Sequence, residues 1–86
     1  NECEVEAEFA HEFIRRRATF AYSPIIAGGA NSCVLHYIDN HQPCRAGDVL
    51  LLDVAASYAN YNADLTRTIP VNGRFTRRQR QVYNAV

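Results

Sequence analysis

Two aspartates are the residues of this sequence best placed to do chemistry. Asp53 follows three consecutive leucines, and a carboxylate in such a buried-looking strand is costly unless it is paired or binds a metal. Asp64 comes eleven residues later, in the next strand pattern. If the two strands form a hairpin that closes at Tyr58-Ala59, the two aspartates lie directly opposite each other, with β-carbons about 5 Å apart.

Opposed carboxylates repel each other, and one of them must hold a proton unless a cation lies between them. A divalent cation removes the repulsion, and two cations about 3.5–4 Å apart that share carboxylates and water are the usual hydrolytic arrangement. The structural alternative is that Asp53 pairs with Arg67 and that Asp64 caps the turn at Asn62. The spacing alone leaves both interpretations open.

The three histidines differ in their surroundings. His36 lies in the pattern Ser32–Tyr37, which predicts a strand, and a single histidine on a strand is more often structural than catalytic. His41 lies in a polar turn and is predicted to be solvated. His11 begins no HExxH motif, because Arg15 stands where the second histidine would be.

Two helices are predicted to flank the strands that position these side chains. The first covers Glu2–Arg17, where apolar residues recur every four positions, and its early glutamates and late arginines match the helix dipole. The second covers Thr76–Val86, because Thr76 and Gln79 have the spacing of a capping box.

Extended segments and turns alternate between the helices. The predicted extended segments are Ala21–Ile26, Ser32–Tyr37, Val49–Tyr58 and Ala63–Val71. The predicted turns are Gly28–Asn31, Asp39–Pro43, Arg45–Asp48, Ala59–Asn62 and Asn72-Gly73. The order of helix, strands, β-hairpin and helix predicts an α+β fold.

Composition excludes several classes of protein. The chain has 86 residues, 48% of them hydrophobic, and a formal net charge of zero, which fits one domain or part of one. No net charge attracts it to nucleic acid or to a membrane surface, and no apolar run is long enough to span a bilayer. The local cluster of Arg74, Arg77, Arg78 and Arg80 is predicted to be a solvated face and not a nucleic-acid site.

The cysteines and the chain start carry weaker signals. Cys3, Cys33 and Cys44 are odd in number and lack CxxC spacing, which predicts free, partly buried thiols in a reducing compartment and hence a cytoplasmic protein. The sequence has no methionine, even at position 1, and its last helix has no C-cap glycine. We therefore expect a processed chain or a fragment.

Three stretches of the sequence resemble the pita-bread metallopeptidase family. They are Leu51–Tyr58, Asn62–Thr68 and Pro70–Thr76, with His11–Phe13, Gly28–Asn31 and Leu35–Tyr37 upstream in the family's order. Within the family the likeness is greatest to Xaa-Pro aminopeptidases, and prolidases come second. The resemblance spans nearly the whole chain and implies that residues 1–86 are the first half of a pita-bread catalytic domain.

This resemblance implies a role for each matching residue. Asp53 and Asp64 match metal ligands, and Asp64 matches the aspartate that bridges two divalent cations, commonly manganese, with zinc or cobalt as alternatives. His36 matches a histidine that contacts the substrate beside the metals. Thr66 and Thr68 are candidates to orient a metal-binding carboxylate through a hydrogen bond.

The implied activity is hydrolysis of the bond between an N-terminal residue and proline. The implied partner is a peptide with proline in second position, and the parent protein is expected to be a homo-oligomer. In the isolated chain, the sheet edge left exposed by the missing half would favour association. The family's site also needs a histidine and two glutamates, yet no acidic residue or histidine follows Asp64. We therefore expect the isolated chain to be inactive and to bind metal poorly. The alternatives are a prolidase fragment and a catalytically dead peptide-binding module.

Overall fold

The computed structural model describes residues 1–86 as two helices and six strands. In chain order they are α1 (Glu2–Arg15), β1 (Thr19–Phe20), β2 (Ile25–Gly28), a 3-10 helix (Gly29–Cys33), β3 (Val49–Val54), β4 (Ala56–Tyr58), β5 (Tyr61–Asn62), β6 (Leu65–Pro70) and α2 (Arg77–Ala85). The predicted α+β class and the predicted order of elements are confirmed.

The first helix begins at a side-chain cap and is followed by a residue in the left-handed conformation. The Asn1 side chain accepts a hydrogen bond from the backbone N–H of Cys3, which satisfies a free donor of the first turn. The helix ends at Arg15, two residues before the predicted end. Arg17 adopts φ +62°, a left-handed conformation that commonly terminates helices.

The apolar face of α1 covers one face of the β2–β3–β6 sheet. Ile26, Leu50 and Val54 form the buried core there, and Val5 and Phe9 of the helix pack against it. Because side chains alternate across a strand, the even-numbered residues of β3 point to this core and the odd-numbered ones to the other face. The site residues therefore lie on the side of the sheet away from α1.

The strands form two antiparallel sheets, with the orders β1-β4-β5 and β2-β3-β6. The predicted single strand Val49–Tyr58 is divided at Ala55, where the chain passes from one sheet to the other. At this point the Ala55 carbonyl accepts from the backbone N–H of Ala21 at 2.9 Å. The segment before β2 is thereby tied to the junction between the sheets.

The hairpin that sets the spacing of the aspartates closes one residue later than predicted. Its turn is centred on Ala59-Asn60, and in the same register Asp53 lies opposite Thr66. The prediction that Asp53 and Asp64 lie directly opposite each other is therefore wrong. A shift of the turn by one residue moves the pairing by two positions, which leaves every side chain on the same face.

Residues 32–37 do not form the predicted strand. The 3-10 helix Gly29–Cys33 is followed by a turn in which His36 adopts φ +56°. Strand β2 pairs only with β3, and on its other side the Asn40 Oδ1 atom accepts from the backbone N–H of Ile26 at 3.0 Å. The segment is therefore attached to the sheet edge through side chains instead of a strand ladder.

The second helix starts at the predicted capping box. Thr76 Oγ1 accepts from the Gln79 backbone N–H at 3.2 Å, and Gln79 Oε1 accepts from the Thr76 backbone N–H at 2.8 Å. The predicted solvated arginine face is confirmed, since Arg74, Arg77, Arg78 and Arg80 are all exposed. Neither α1 nor α2 has the length and apolar character that a membrane-crossing helix needs.

The three cysteines are free thiols, as predicted. Cys44 is partly buried, whereas Cys3 and Cys33 are exposed, so the prediction of partial burial is wrong for two of the three. Cys3 lies on the exposed face of α1 and Cys33 lies at the end of the 3-10 helix, away from the hydrophobic core.

We predict that Ala59→Gly stabilises the fold. Ala59 adopts φ +50°, where the β-carbon of an L-residue crowds the following carbonyl at a cost of about 1–2 kcal/mol. Glycine removes this crowding but gives the unfolded chain more freedom, so we expect a net gain of about 0.5 kcal/mol in the free energy of unfolding. Urea denaturation measures it.

The matched control is Ala56→Gly in β4. The same substitution inside a strand should lower the free energy of unfolding by about 0.5–1 kcal/mol. Equal losses at both positions would show that Ala59 is not strained.

Candidate metal centre

Asp53 and Asp64 converge on one tyrosine hydroxyl. Tyr22 Oη lies 2.6 Å from Asp53 Oδ1 and 3.1 Å from Asp64 Oδ1. A hydroxyl has a single proton, so it can donate fully to only one of the two carboxylates at a time. The three oxygens therefore form a cluster that is short of positive charge, and a cation beside it would remove the deficit.

The hydroxyl of Tyr22 stays protonated in this position. Burial raises its pKa well above the ordinary value of 10.0, and the hydrogen bonds and charges of Asp53 and Asp64 raise it further. The shared donor is thus present throughout the physiological pH range.

Neither structural alternative for the aspartates is observed. The Arg67 guanidinium donates to the Thr66 carbonyl at 2.8 Å and forms no ion pair with Asp53. Asp64 accepts a hydrogen bond only from Tyr22 and does not cap the turn at Asn62. The two carboxylates are consequently left without a cationic partner from this chain.

The predicted threonines lie beside the aspartates without bonding to them. Thr66 is directly opposite Asp53, and Thr68 is opposite Leu51, so both threonines share the face of Asp53. Their hydroxyls make no hydrogen bond. The role of Thr66 and Thr68 in orienting a carboxylate stays a prediction.

His36 shares a cleft with Asp53. The cleft has a volume of about 310 Å³, and its remaining walls are mainly apolar, including Ile25 and Leu51. His36 is exposed and its ring forms no hydrogen bond, so the imidazole is free to meet a ligand. The structure brings His36, Asp53 and, through Tyr22, Asp64 to one region.

A larger cleft lies away from these groups. It has a volume of about 670 Å³ and separates β6 from α2, with Phe75, Val82 and Tyr83 on the helix side. Thr66 and Thr68 reach it, but neither aspartate nor His36 does. Its size therefore does not make it the candidate centre.

The donor set suits a divalent cation but does not complete its coordination. Carboxylate oxygens are ligands that manganese, magnesium and zinc accept. No group of three or more His, Cys, Asp or Glu side chains is close enough to hold a metal. Asp53 and Asp64 thus fit as two ligands of a centre that needs about four or more.

Sequence reasoning missed two residues that organise this region. Tyr22 belongs to no recognisable motif, and only the fold carries its hydroxyl to the aspartates. Glu2 belongs to the glutamate run that matches the helix dipole, which predicts an exposed side chain, yet its side chain is completely buried. No sequence signal distinguishes Glu2 from Glu4, which is exposed.

Four donors surround the Glu2 carboxylate, two on each oxygen. Tyr37 Oη and the Gln42 backbone N–H donate to Oε1 at 2.6 and 2.9 Å. The Gly28 backbone N–H and Asn31 Nδ2 donate to Oε2 at 2.6 and 3.2 Å. Burial alone would raise the pKa of Glu2, but these four hydrogen bonds outweigh it and lower the pKa from its ordinary value of 4.5.

Comparison with known proteins identifies the class to which this fold and site belong. The model of metallopeptidase family M24 matches residues 1–86. The chain therefore belongs to metallopeptidase family M24, which confirms the predicted pita-bread resemblance.

Individual relatives are Xaa-Pro aminopeptidases. The chain is 46% identical to the Haemophilus influenzae Xaa-Pro aminopeptidase and 44% identical to that of Escherichia coli, each over 86 residues. It matches a solved structure of Escherichia coli aminopeptidase P with a TM-score of 0.97 over 99% of this chain and 20% of the other. The chain thus spans about a fifth of the length of the curated relatives it matches.

Three solved variants of the Escherichia coli enzyme share a residue spacing with this chain. In them, alanine replaces one of two aspartates eleven positions apart or a histidine seventeen positions before the first aspartate. The same spacings separate His36, Asp53 and Asp64 here.

We predict that Glu2→Gln destabilises the chain in a pH-dependent way. The amide nitrogen cannot accept, so buried donors lose their partner, and the free energy of unfolding should fall by about 2 kcal/mol near neutral pH. The pKa of Glu2 is depressed in the fold, so its stabilisation is complete above about pH 4.5 and is lost as the pH falls through the folded-state pKa.

Urea denaturation of both proteins near pH 7 and near pH 3 measures this effect. The difference between wild type and variant should shrink in acid. Glu4→Gln, at an exposed position of the same helix, is the control and should change little. A deficit of Glu2→Gln that is equal at both pH values would contradict the assigned role.

Proposed function

We propose that this chain supplies part of the dinuclear metal centre of an Xaa-Pro aminopeptidase. Such an enzyme hydrolyses the peptide bond between an N-terminal residue and the proline that follows. The observation that carries the proposal is the convergence of Asp53 and Asp64 on the single proton of Tyr22. The buried Glu2 carboxylate, by contrast, has four donors of its own.

The relatives support this activity over that of a prolidase. The similar proteins described above are named Xaa-Pro aminopeptidases, and one solved Escherichia coli variant is a complex with substrate. The common spacing of His36, Asp53 and Asp64 with three residues replaced in that enzyme supports their assignment to the site.

We assign the metal-binding roles to Asp53 and Asp64. In this proposal Asp53 would be a ligand of one cation and Asp64 a ligand shared between two, and the remaining ligands, a histidine and two glutamates, would come from outside these 86 residues. The bound cations would lower the pKa of a water molecule and polarise the scissile carbonyl. Manganese is our proposed metal; a zinc-substituted form of the Escherichia coli enzyme has been solved with product, which supports tolerance of other ions.

His36 and Tyr22 have different roles in this proposal. His36 faces the cleft and donates to a substrate carbonyl oxygen as it gains negative charge. Tyr22, whose hydroxyl lies within hydrogen-bond distance of both carboxylates, orients them. The mainly apolar walls of the cleft suit a peptide that carries proline.

Two further properties stand as proposals. The free thiols support a reducing, cytoplasmic location. The β6 edge, which pairs with β3 on one side only, supports association into a homo-oligomer of the whole protein.

We predict that Asp64→Asn abolishes activity while the fold survives. In the test, this chain replaces the matching segment of the Escherichia coli enzyme. We call the product the exchanged enzyme. Asparagine keeps the shape of the side chain but loses the charge that a bridging ligand needs, so kcat should fall by at least about a thousandfold at saturating manganese. Hydrolysis of an Xaa-Pro peptide measures kcat, and circular dichroism reports the fold.

The unsubstituted exchanged enzyme and Asp48→Asn are the controls for this test. Asp48 lies before β3, outside the candidate centre, so its variant should remain active. Full turnover by Asp64→Asn would refute the metal assignment. An unsubstituted exchanged enzyme that folds and binds peptide without cleaving it would favour the peptide-binding alternative.

We also predict that Tyr22→Phe weakens metal binding. The ring stays in place but the shared hydroxyl donor is lost, so the affinity of the exchanged enzyme for manganese should fall about tenfold or more. Metal content after dialysis against graded manganese concentrations measures it. Tyr61→Phe, which alters an exposed hydroxyl, should bind manganese normally. Unchanged affinity in Tyr22→Phe would remove Tyr22 from the centre.

A further inference from the structure

The turn that carries His36 has little backbone support of its own. His36 lies outside every strand and adopts φ +56°. Val34 makes the one local backbone hydrogen bond of this turn, to the Asn31 carbonyl at 3.0 Å. Residues 34–36 are exposed. Something other than the backbone must therefore hold His36 at the cleft.

The side chains that flank this turn are anchored to Glu2. Tyr37, the residue after His36, is buried and its hydroxyl donates to Glu2 Oε1 at 2.6 Å. Asn31, on the other side of the turn, donates from Nδ2 to both Glu2 Oε2 at 3.2 Å and Tyr37 Oη at 3.1 Å. Glu2, Asn31 and Tyr37 thus form a closed hydrogen-bonded triangle at the base of the turn.

The triangle itself is fixed from two directions. The Gly28 backbone N–H, at the end of β2, donates to the Glu2 carboxylate at 2.6 Å. The Glu2 backbone N–H donates to the Gln42 carbonyl at 2.9 Å, and the Gln42 backbone N–H returns a bond to Glu2 Oε1. The start of α1, the edge strand and the loop after His36 consequently meet at one buried carboxylate.

We propose that Glu2 and Tyr37 are positioning residues for His36. Their hydrogen bond fixes the turn so that the imidazole faces the cleft beside Asp53. The inference rests on the proposed function, because it matters to catalysis only if His36 contacts the substrate. Glu2 itself is completely buried and touches no reacting group.

Tyr37→Phe in the manganese-loaded exchanged enzyme tests this role. The ring remains packed, but the turn loses its anchor, and a small displacement of a group near the reacting atoms reduces rate more than binding. We expect kcat for an Xaa-Pro peptide to fall about tenfold, with KM within about twofold of the parent value and unchanged metal content. Tyr83→Phe, whose hydroxyl has no partner, should leave both constants unchanged.

A double-mutant cycle with His36→Ala separates positioning from general stability. When His36 is absent there is nothing left to position, so adding Tyr37→Phe should not lower kcat further. An equal fold-loss with and without His36 would overturn the proposal. Full activity in His36→Ala would overturn the assignment of His36 itself. A lower kcat in His36→Ala combined with a normal kcat in Tyr37→Phe would overturn only the positioning role of Tyr37.

Glu2→Gln and hydrogen exchange provide an independent measurement. Glu2→Gln should reproduce the kcat loss, and combining it with Tyr37→Phe should add little, because both remove the same contact. The backbone amide of Val34, which is the hydrogen-bonded amide of the turn, should exchange faster in either variant, while those of β3 and β6 keep their protection. Unchanged exchange at Val34 would contradict the anchor.

Discussion

A carboxylate that leaves bulk water must be met by donors or by a cation, and this requirement organises the molecule. It applies fully to the buried Glu2 and in part to the half-buried Asp53, each with a tyrosine hydroxyl 2.6 Å from a carboxylate oxygen. At Glu2 four donors satisfy one carboxylate, so the charge is balanced locally. At Asp53 and Asp64 one proton serves two carboxylates. The contrast supports our proposal that the Glu2 cluster stabilises the fold and that the cluster of Asp53 and Asp64 binds metal.

The two clusters are linked through the β2 edge and the segments beside it. Tyr22 lies just before β2 and reaches the aspartates on β3 and after β5. Gly28 ends β2 and donates to Glu2, whose other partners flank the turn of His36. One short strand therefore connects the region of the two aspartate carboxylates to the turn that carries His36. The position of His36 depends on α1, although α1 packs on the opposite face of the sheet.

Much of the architecture was readable from the sequence because local rules determined it. The capping box at Thr76 and the periodic apolar face of α1 each follow from neighbouring residues. The strand expected at residues 32–37 failed for a non-local reason. Tyr37 at its end donates to Glu2, Asn40 just beyond it accepts from the β2 edge, and only the tertiary fold brings those partners within reach. Tyr22 was missed for the same reason, since 31 residues separate it from Asp53.

The aspartate pair shows why a site can be predicted although its register is not. Turn position depends on small local preferences, and here the chain accepts a left-handed alanine at Ala59 to close the hairpin one residue late. The face of the sheet on which a side chain lies, by contrast, depends on parity, that is, on whether its position along the strand is odd or even. A shift of one residue in the turn changes the pairing by two positions and leaves this parity unchanged. Burying Leu50 and Val54 against α1 fixes that parity, because a slip that reversed it would expose the core. Asp53 is thereby fixed on the outer face, and Asp64 can reach the same hydroxyl from a diagonal position. The hydrophobic core thus determines on which face of the sheet the carboxylates lie, and the position of the turn determines only how far apart they lie along the strands.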